Sequence, residues 1–196
     1  MSSIGFLRHG VTDWNIKGLV QGSTDVPLGE NGRAEVAAWR VPEEFSDYEW
    51  MSSPLSRAME TAEAVSGITP STDARLAEMS WGIWEGWTLD KLRGELGDLM
   101  VAWEARGLDF HGPGGESPLD VQVRIAPLLE EIAAGGREVL AVSHKGVMRA
   151  VHAMATNWDM TDKAPEKLRE GCMHLFHLGE GGRPSVARLN IALVPE

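Results

Sequence analysis

The chain has 196 residues, 43% hydrophobic and 24% charged, which suffices for one domain with a substantial core. Its formal net charge of −11 argues against a nucleic-acid partner, which would call for a basic face. An anionic ligand would need a locally positive pocket in a negative overall field.

The single cysteine, Cys172, leaves no internal disulfide and suits a reducing cytoplasm. Its neighbours Gly171 and Met173 offer no base, so it reads as a structural thiol. Met1 to Phe6 has no basic start followed by a long apolar run, so no signal peptide is expected. No window approaches the roughly 18 apolar residues of a membrane helix, so no membrane partner is expected either.

Ile4–Leu7 reads as a first strand, too apolar to be half exposed and therefore central. It stops abruptly at Arg8-His9-Gly10. The loop from Gly10 to Gly29 is rich in Gly, Asn, Asp and Ser, and a loop of that length is more often functional than idle. Ala34–Trp39 belongs to a helix that ends before Pro42. Tyr48–Met51 is a short second strand. In Ser52-Ser53-Pro54-Leu55-Ser56-Arg57, Ser53 reads as an N-cap and Pro54 as the first helical residue. Arg57 then falls in the first turn, where free amides and the helix dipole favour an anion.

Ser71–Glu78 leads into a run carrying Trp81, Trp84 and Trp87. Leu89, Leu92, Leu96, Leu99 and Trp103 mark one amphipathic helix. Gly112-Pro113-Gly114-Gly115 is a breaker. Ser117-Pro118-Leu119-Asp120 is a capping box opening a helix to about Ala134, which Pro127 should kink or split. Glu138–Val142 is a second apolar strand, ending in Ser143-His144-Lys145-Gly146. Val147–Ala155 is a helix that is apolar nearly all round. Cys172–Leu178 and Ser185–Leu193 close the chain as strands, a hairpin through Gly179–Gly182. The alternation of strands and helices predicts an α/β fold with a mainly parallel sheet and helices on both faces.

The two apolar strands end alike, each with a histidine just past its last residue. If they are parallel neighbours, His9 and His144 meet at the crevice where open α/β sheets bind ligands. Arg8 and Arg57 can join them. A lone histidine near a core is usually structural, but this convergence from separate places points to an anion site. His174 and His177 lie three apart on a strand and face opposite ways, so they are poor co-ligands for a metal. His111 and His152 have no identifiable partners.

These residues resemble the histidine phosphatase superfamily, which includes phosphoglycerate mutases, fructose-2,6-bisphosphatase and α-ribazole phosphatase. The likeness runs through Arg8-His9-Gly10-Val11-Thr12-Asp13-Trp14-Asn15, Gln21-Gly22, Asp25-Val26-Pro27-Leu28, Ser52 to Ala58, Leu76-Ala77-Glu78, Gly82 to Gly86, Pro113 to Ser117 and Val142-Ser143-His144. It covers nearly the whole chain in order. It implies a three-layer α/β/α sandwich with a small helical insert, about 79–116, over the active site. It also implies phosphoryl transfer through a phosphohistidine, with no metal and no other cofactor.

The implied chemistry suits the residue types. Transfer of a phosphoryl group is mostly positioning and electrostatics. Arg8 and Arg57 can fork onto its oxygens, and a protonated His144 can add a further donor. His9 attacks through a neutral ring nitrogen, and nearby arginines favour the neutral form. Asn15 is a neutral donor, and Gln21 and Gly22 line the entrance. Glu78 sits at the family's acid position, with Glu85 as rival. The tryptophan cluster reads as packing between insert and sheet, with pocket lining as the alternative.

The insert lacks the Arg-Arg pair of the family's mutases, and Met79-Ser80-Trp81-Gly82 replaces their His-Tyr-Gly. This favours a phosphatase similar to α-ribazole phosphatase, acting on a small-molecule phosphate ester. The alternatives are a cofactor-dependent mutase or an inactive phosphate-binding regulator. A homodimer stays open.

Overall fold

The computed structural model describes residues 2–193, so Met1, the start of the segment screened for a signal peptide, lies outside it. Six strands form one sheet: β1 (Ser2–Arg8), β2 (Glu49–Ser52), β3 (Ser71–Thr72), β4 (Glu138–Ser143), β5 (Cys172–Leu178) and β6 (Pro184–Ala192). Their order is β3-β2-β4-β1-β5-β6. The first four run parallel, while β5 is antiparallel to β1, and β6 to β5. The short β5–β6 connection through Gly179–Gly182 permits only a hairpin, hence the antiparallel end of the sheet. The apolar β1 is interior, between β4 and β5.

Among the described residues seven α-helices occur: α1 (Asp13–Ile16), α2 (Glu30–Ala38), α3 (Ser56–Ser66), α4 (Leu89–Leu96), α5 (Asp98–Glu104), α6 (Pro118–Ala134) and α7 (Lys145–Thr156). Because side chains alternate along a strand, β1 serves two cores. Ile4 and Phe6 pack with Ile125 and Leu129 of α6 and Val151 of α7. Leu7 packs on the other face with Val36 of α2 and Ala58 and Ala62 of α3. A smaller core of Trp84, Leu92 and Met100 holds the insert together.

Three sequence expectations change, while α2 (Glu30–Ala38, with Trp39 at its C-cap) takes in the expected helical stretch and ends before Pro42. α3 begins at Ser56 rather than Pro54. Ser53 is not its cap: the Asp25 carboxylate accepts from Ser56 N at 2.8 Å and from its hydroxyl at 2.7 Å. The predicted helix over Leu89–Trp103 is two helices, broken at Gly97, whose φ of 50° and ψ of −127° cannot continue a helix. α6 runs unbroken through Pro127. The carbonyl left without its donor belongs to Val123, which is 68% exposed, so water can satisfy it.

Candidate active site

Parallel pairing of β1 with β4 sets Arg8 beside Ser143, so the next residue of each strand is a histidine. The His9 and His144 rings lie 5.0 Å apart, centroid to centroid. Both are buried. His9 Nδ1 donates to the Gly10 carbonyl at 2.7 Å, because a carbonyl can only accept. That leaves Nε2 with its lone pair free. Burial first, then Arg8 and Arg57, push the His9 pKa down to about 3, so the ring is neutral at ordinary pH.

His144 does not line the cavity that His9 lines. Its Nε2 pairs with Ser53 Oγ at 2.8 Å. That bond recruits the serine the sequence assigns to helix capping. Burial, then the neighbouring His9 and Arg57, hold His144 well below its ordinary pKa. The ring is therefore neutral in the free protein.

Arg57, on the first turn of α3, is fully buried. Its Nη1 donates to Thr24 O at 2.9 Å and Nη2 to Gly22 O at 2.8 Å. Arg8 pairs with the exposed Glu170. Among the described residues, six buried side-chain nitrogens have no protein partner, and three of them are Arg8 Nε, Arg57 Nε and His144 Nδ1. Arg8 Nε and Arg57 Nε can only donate, and unsatisfied buried donors are costly, so an acceptor-rich anion here is favoured.

Glu78 receives Met79 N at 2.8 Å and Gly146 N at 3.1 Å, and so caps the N-terminus of α7. Burial outweighs those bonds and the nearby arginines and raises its pKa. Arg124 steadies the approach to it, donating to Ala77 O at 2.7 Å and pairing with Glu116 at 2.8 Å. Glu85 differs. Burial pushes its carboxyl up, but bonds from Thr24, Ser23 and Trp81 outweigh that and hold it low. It ties loop 22–24 to the insert, receiving Ser23 N at 2.9 Å and Trp81 N at 3.0 Å.

A cavity of about 590 Å3 joins these groups. Arg8, His9, Arg57 and Glu78 line it, as do Asn15, Gln21 and Gly22. Asn15 Oδ1 accepts from Thr12 N at 3.0 Å, and Gln21 Oε1 accepts from Thr12 Oγ1 at 3.0 Å. Both amide NH2 groups are thus left for a ligand. The insert supplies Trp81, Leu89, Glu104 and Phe110 to the wall. Trp81 therefore lines the cavity, whereas Trp84 packs beneath it in the insert's core.

Sequence reasoning missed Ser53, Asp25, Lys145 and Arg149. The first two were hidden by local capping logic. Lys145 and Arg149 stood in plain view beside His144, spaced to share one helix face.

Fold and site together define an α/β enzyme built around an anionic, phosphoryl-sized ligand. The chain belongs to the histidine phosphatase superfamily (branch 1), whose family model matches residues 4–192. It is 35% identical over 161 residues to the glucosyl-3-phosphoglycerate phosphatase of Mycobacterium tuberculosis, covering 75% of this chain and 72% of that one. It is 28% identical over 195 residues to the 2,3-bisphosphoglycerate-dependent phosphoglycerate mutase of Azorhizobium caulinodans, covering 93% and 95%. The solved mycobacterial glucosyl-3-phosphoglycerate phosphatase with VO3 superposes with a TM-score of 0.81 at 26% identity, covering all of both chains. Among the described residues no helix is long and apolar enough to cross a membrane.

Proposed function

We propose that this phosphatase hydrolyses small-molecule phosphomonoesters through a phosphohistidine on His9. The observation that carries the reading is the His9 ring: neutral, with Nδ1 tied to the Gly10 carbonyl and the Nε2 lone pair free. Nε2 attacks phosphorus, and the ester P–O bond breaks. Arg8 and Arg57 offset the charge on the phosphoryl oxygens, with Asn15 and Gln21 as neutral donors. Glu78, its pKa raised, gives its proton to the leaving alkoxide. The resulting carboxylate takes a proton from water, whose oxygen attacks phosphorus. The P–N bond breaks and returns its electron pair to Nε2. The sum is ester plus water to alcohol plus phosphate.

The two arginines suffice for the transferred charge, so the proposal needs no metal. The chain is read as one catalytic unit with a cytoplasmic substrate. Insert residues on the cavity wall favour a small molecule over a phosphoprotein. The relatives' names make a phosphorylated glycerate derivative a leading candidate, and α-ribazole 5'-phosphate belongs on the same screen. The mutase reading draws on the full-length likeness to a named mutase. The missing Arg-Arg pair in the insert weighs against it.

The test is His9→Ala. Hydrolysis of a simple aryl phosphate should fall to background, while the circular dichroism spectrum stays that of the wild type. Trapping should place acid-labile phosphate on His9 in the wild type, and a chelator should change nothing. Wild-type turnover by the variant, or phosphate on another residue, refutes the mechanism. Interconversion of phosphoglycerates with a bisphosphate primer would favour the mutase.

A further inference from the structure

The fold holds its two phosphoryl clamps, Arg8 and Arg57, by different means. Arg57 is buried, and two backbone carbonyls take its Nη1 and Nη2. Arg8 stands at the end of β1 with its side chain 19% exposed. Among the described residues, the one hydrogen bond that its guanidinium makes runs from Nη1 to the Glu170 carboxylate. Glu170 directly precedes Gly171 and β5, and β5 pairs with β1 in a register that sets Leu7 against Met173. The chain on either side of Glu170 is pinned. Arg169 N donates to Asn190 Oδ1 at 2.7 Å, and Gly171 O accepts from Leu193 N at 3.2 Å.

The Glu170 side chain is 71% exposed, and so exposed an ion pair adds little to stability. Its value lies in what it leaves free. A guanidinium offers a side-on fork, Nε with Nη2, that matches two oxygens of a phosphoryl group. Glu170 takes Nη1 and spares that edge, and Nε is buried with no protein partner. Glu170 also approaches from outside the catalytic cavity. It lines a cavity of about 270 Å3 beside β1 and one of about 860 Å3 between α7 and the segment 158–170, and Arg8 lines both. It does not line the cavity of about 590 Å3 that Arg57 and Glu78 share with Arg8. A phosphoryl group in that cavity therefore has no need to displace it.

We propose that Glu170 is the positioning residue for Arg8, setting the guanidinium from behind so that Nε and Nη2 meet the phosphoryl oxygens. The inference rests on the phosphatase reading of the His9 site. Glu170 touches neither the substrate nor the reacting atoms and acts through Arg8 alone. The sign of its effect separates this role from a purely electrostatic one. A carboxylate beside an anion site repels the ester, so on charge alone its loss would speed turnover. A carboxylate that positions Arg8 slows turnover when lost, because a small misplacement of a clamping group is costly.

The test is turnover of an aryl phosphate by the wild type, Glu170→Ala and Glu170→Gln. Glu170→Ala should lower kcat/KM about tenfold or more. Glu170→Gln keeps an oxygen that accepts from Nη1 but carries no charge, and should stay within about threefold of the wild type. Inhibition by vanadate, which takes the five-coordinate shape of phosphorus in transfer, should weaken in Glu170→Ala in step with kcat/KM. Both melting temperatures should stay within about 4 °C of the wild type. Turnover in Glu170→Ala equal to or faster than wild type overturns the positioning role and leaves the phosphatase intact. So do a Gln variant as slow as the Ala variant, vanadate inhibition that does not weaken, and a larger fall in melting temperature, which would make the residue structural. A wild type that does not turn over the aryl phosphate overturns the phosphatase reading and the positioning role with it.

Discussion

Glu78 and Glu85 are the same residue type in one short stretch, and their surroundings set them to different work. Glu78 has its pKa raised by burial, on the wall of the cavity that holds His9. Glu85 is held ionised by the loop it fastens. Exchanging the acid for its amide separates the two. Glu78→Gln should lower kcat on an alkyl phosphate by about 10²–10⁴ with little change in melting temperature. On an aryl phosphate, whose phenolate leaves unaided, it should give a burst of one phenolate per enzyme and then stall, because no base activates water. Steady wild-type turnover in that variant would remove Glu78 from the mechanism. Glu85→Ala instead frees the loop whose Gly22 and Thr24 carbonyls hold Arg57, and should cost about 1–3 kcal/mol of stability in urea denaturation.

Elements place these residues, and α7 does so most directly, since its Gly146 amide holds the Glu78 carboxylate. A Cβ at Gly146 would overlap Glu78 Oε1, the far end of a flexible side chain, and crowd Met79 Cβ at 3.1 Å, so the carboxylate must give way first and Met79 by a few tenths of an ångström. Gly146→Ala should therefore keep or raise stability, since Ala is favoured over Gly in a helix by about 1 kcal/mol, yet lower kcat at least about tenfold. A stable and fully active variant would show that the Glu78 position is not critical. The same elements explain what the sequence reveals and conceals. Strand β1 and the Ser117 box were legible because apolar runs and capping pairs are local signals. Ser117 Oγ does accept from Asp120 N, at 3.1 Å. The meeting of His9 and His144 was legible only as a condition, since strand neighbourhood is a tertiary fact. The start of α3 was misread because its cap, Asp25, comes from a distant loop, and Ser53 is claimed by His144. The break at Gly97 was hidden by a leucine period that continues across it. The cavity between α7 and the segment 158–170 was invisible, because His152 lines it only once that segment has folded against α7.

At the scale of the whole molecule, four buried histidines couple the fold to pH. His9, His144, His152 and His174 are all held below their ordinary pKa, with burial the largest cause in each. In the unfolded chain they titrate near pH 6.5. Below that pH the unfolded chain takes up protons that the folded one refuses, so stability falls as pH falls. The loss continues toward each folded pKa, about 3 for His9 and about 4 for His174. Each histidine costs up to about 1.4 kcal/mol per pH unit within its window. Glu78 and Glu35 act with the opposite sign, because their raised pKa values keep protons on the fold longer than on the unfolded chain. Glu35 is partly solvated and counts for less. Relief of the −11 charge does not intervene, since ordinary carboxylates take protons mainly below about pH 4.5. The melting temperature should therefore drop from pH 7 to pH 5. His174 accepts Asn190 N at 3.1 Å through Nδ1, a bond that an asparagine oxygen can keep. His174→Asn should flatten the slope by one histidine's share. A melting temperature that rises toward pH 5, or an unchanged slope in that variant, would show that these rings do not control the acid limb.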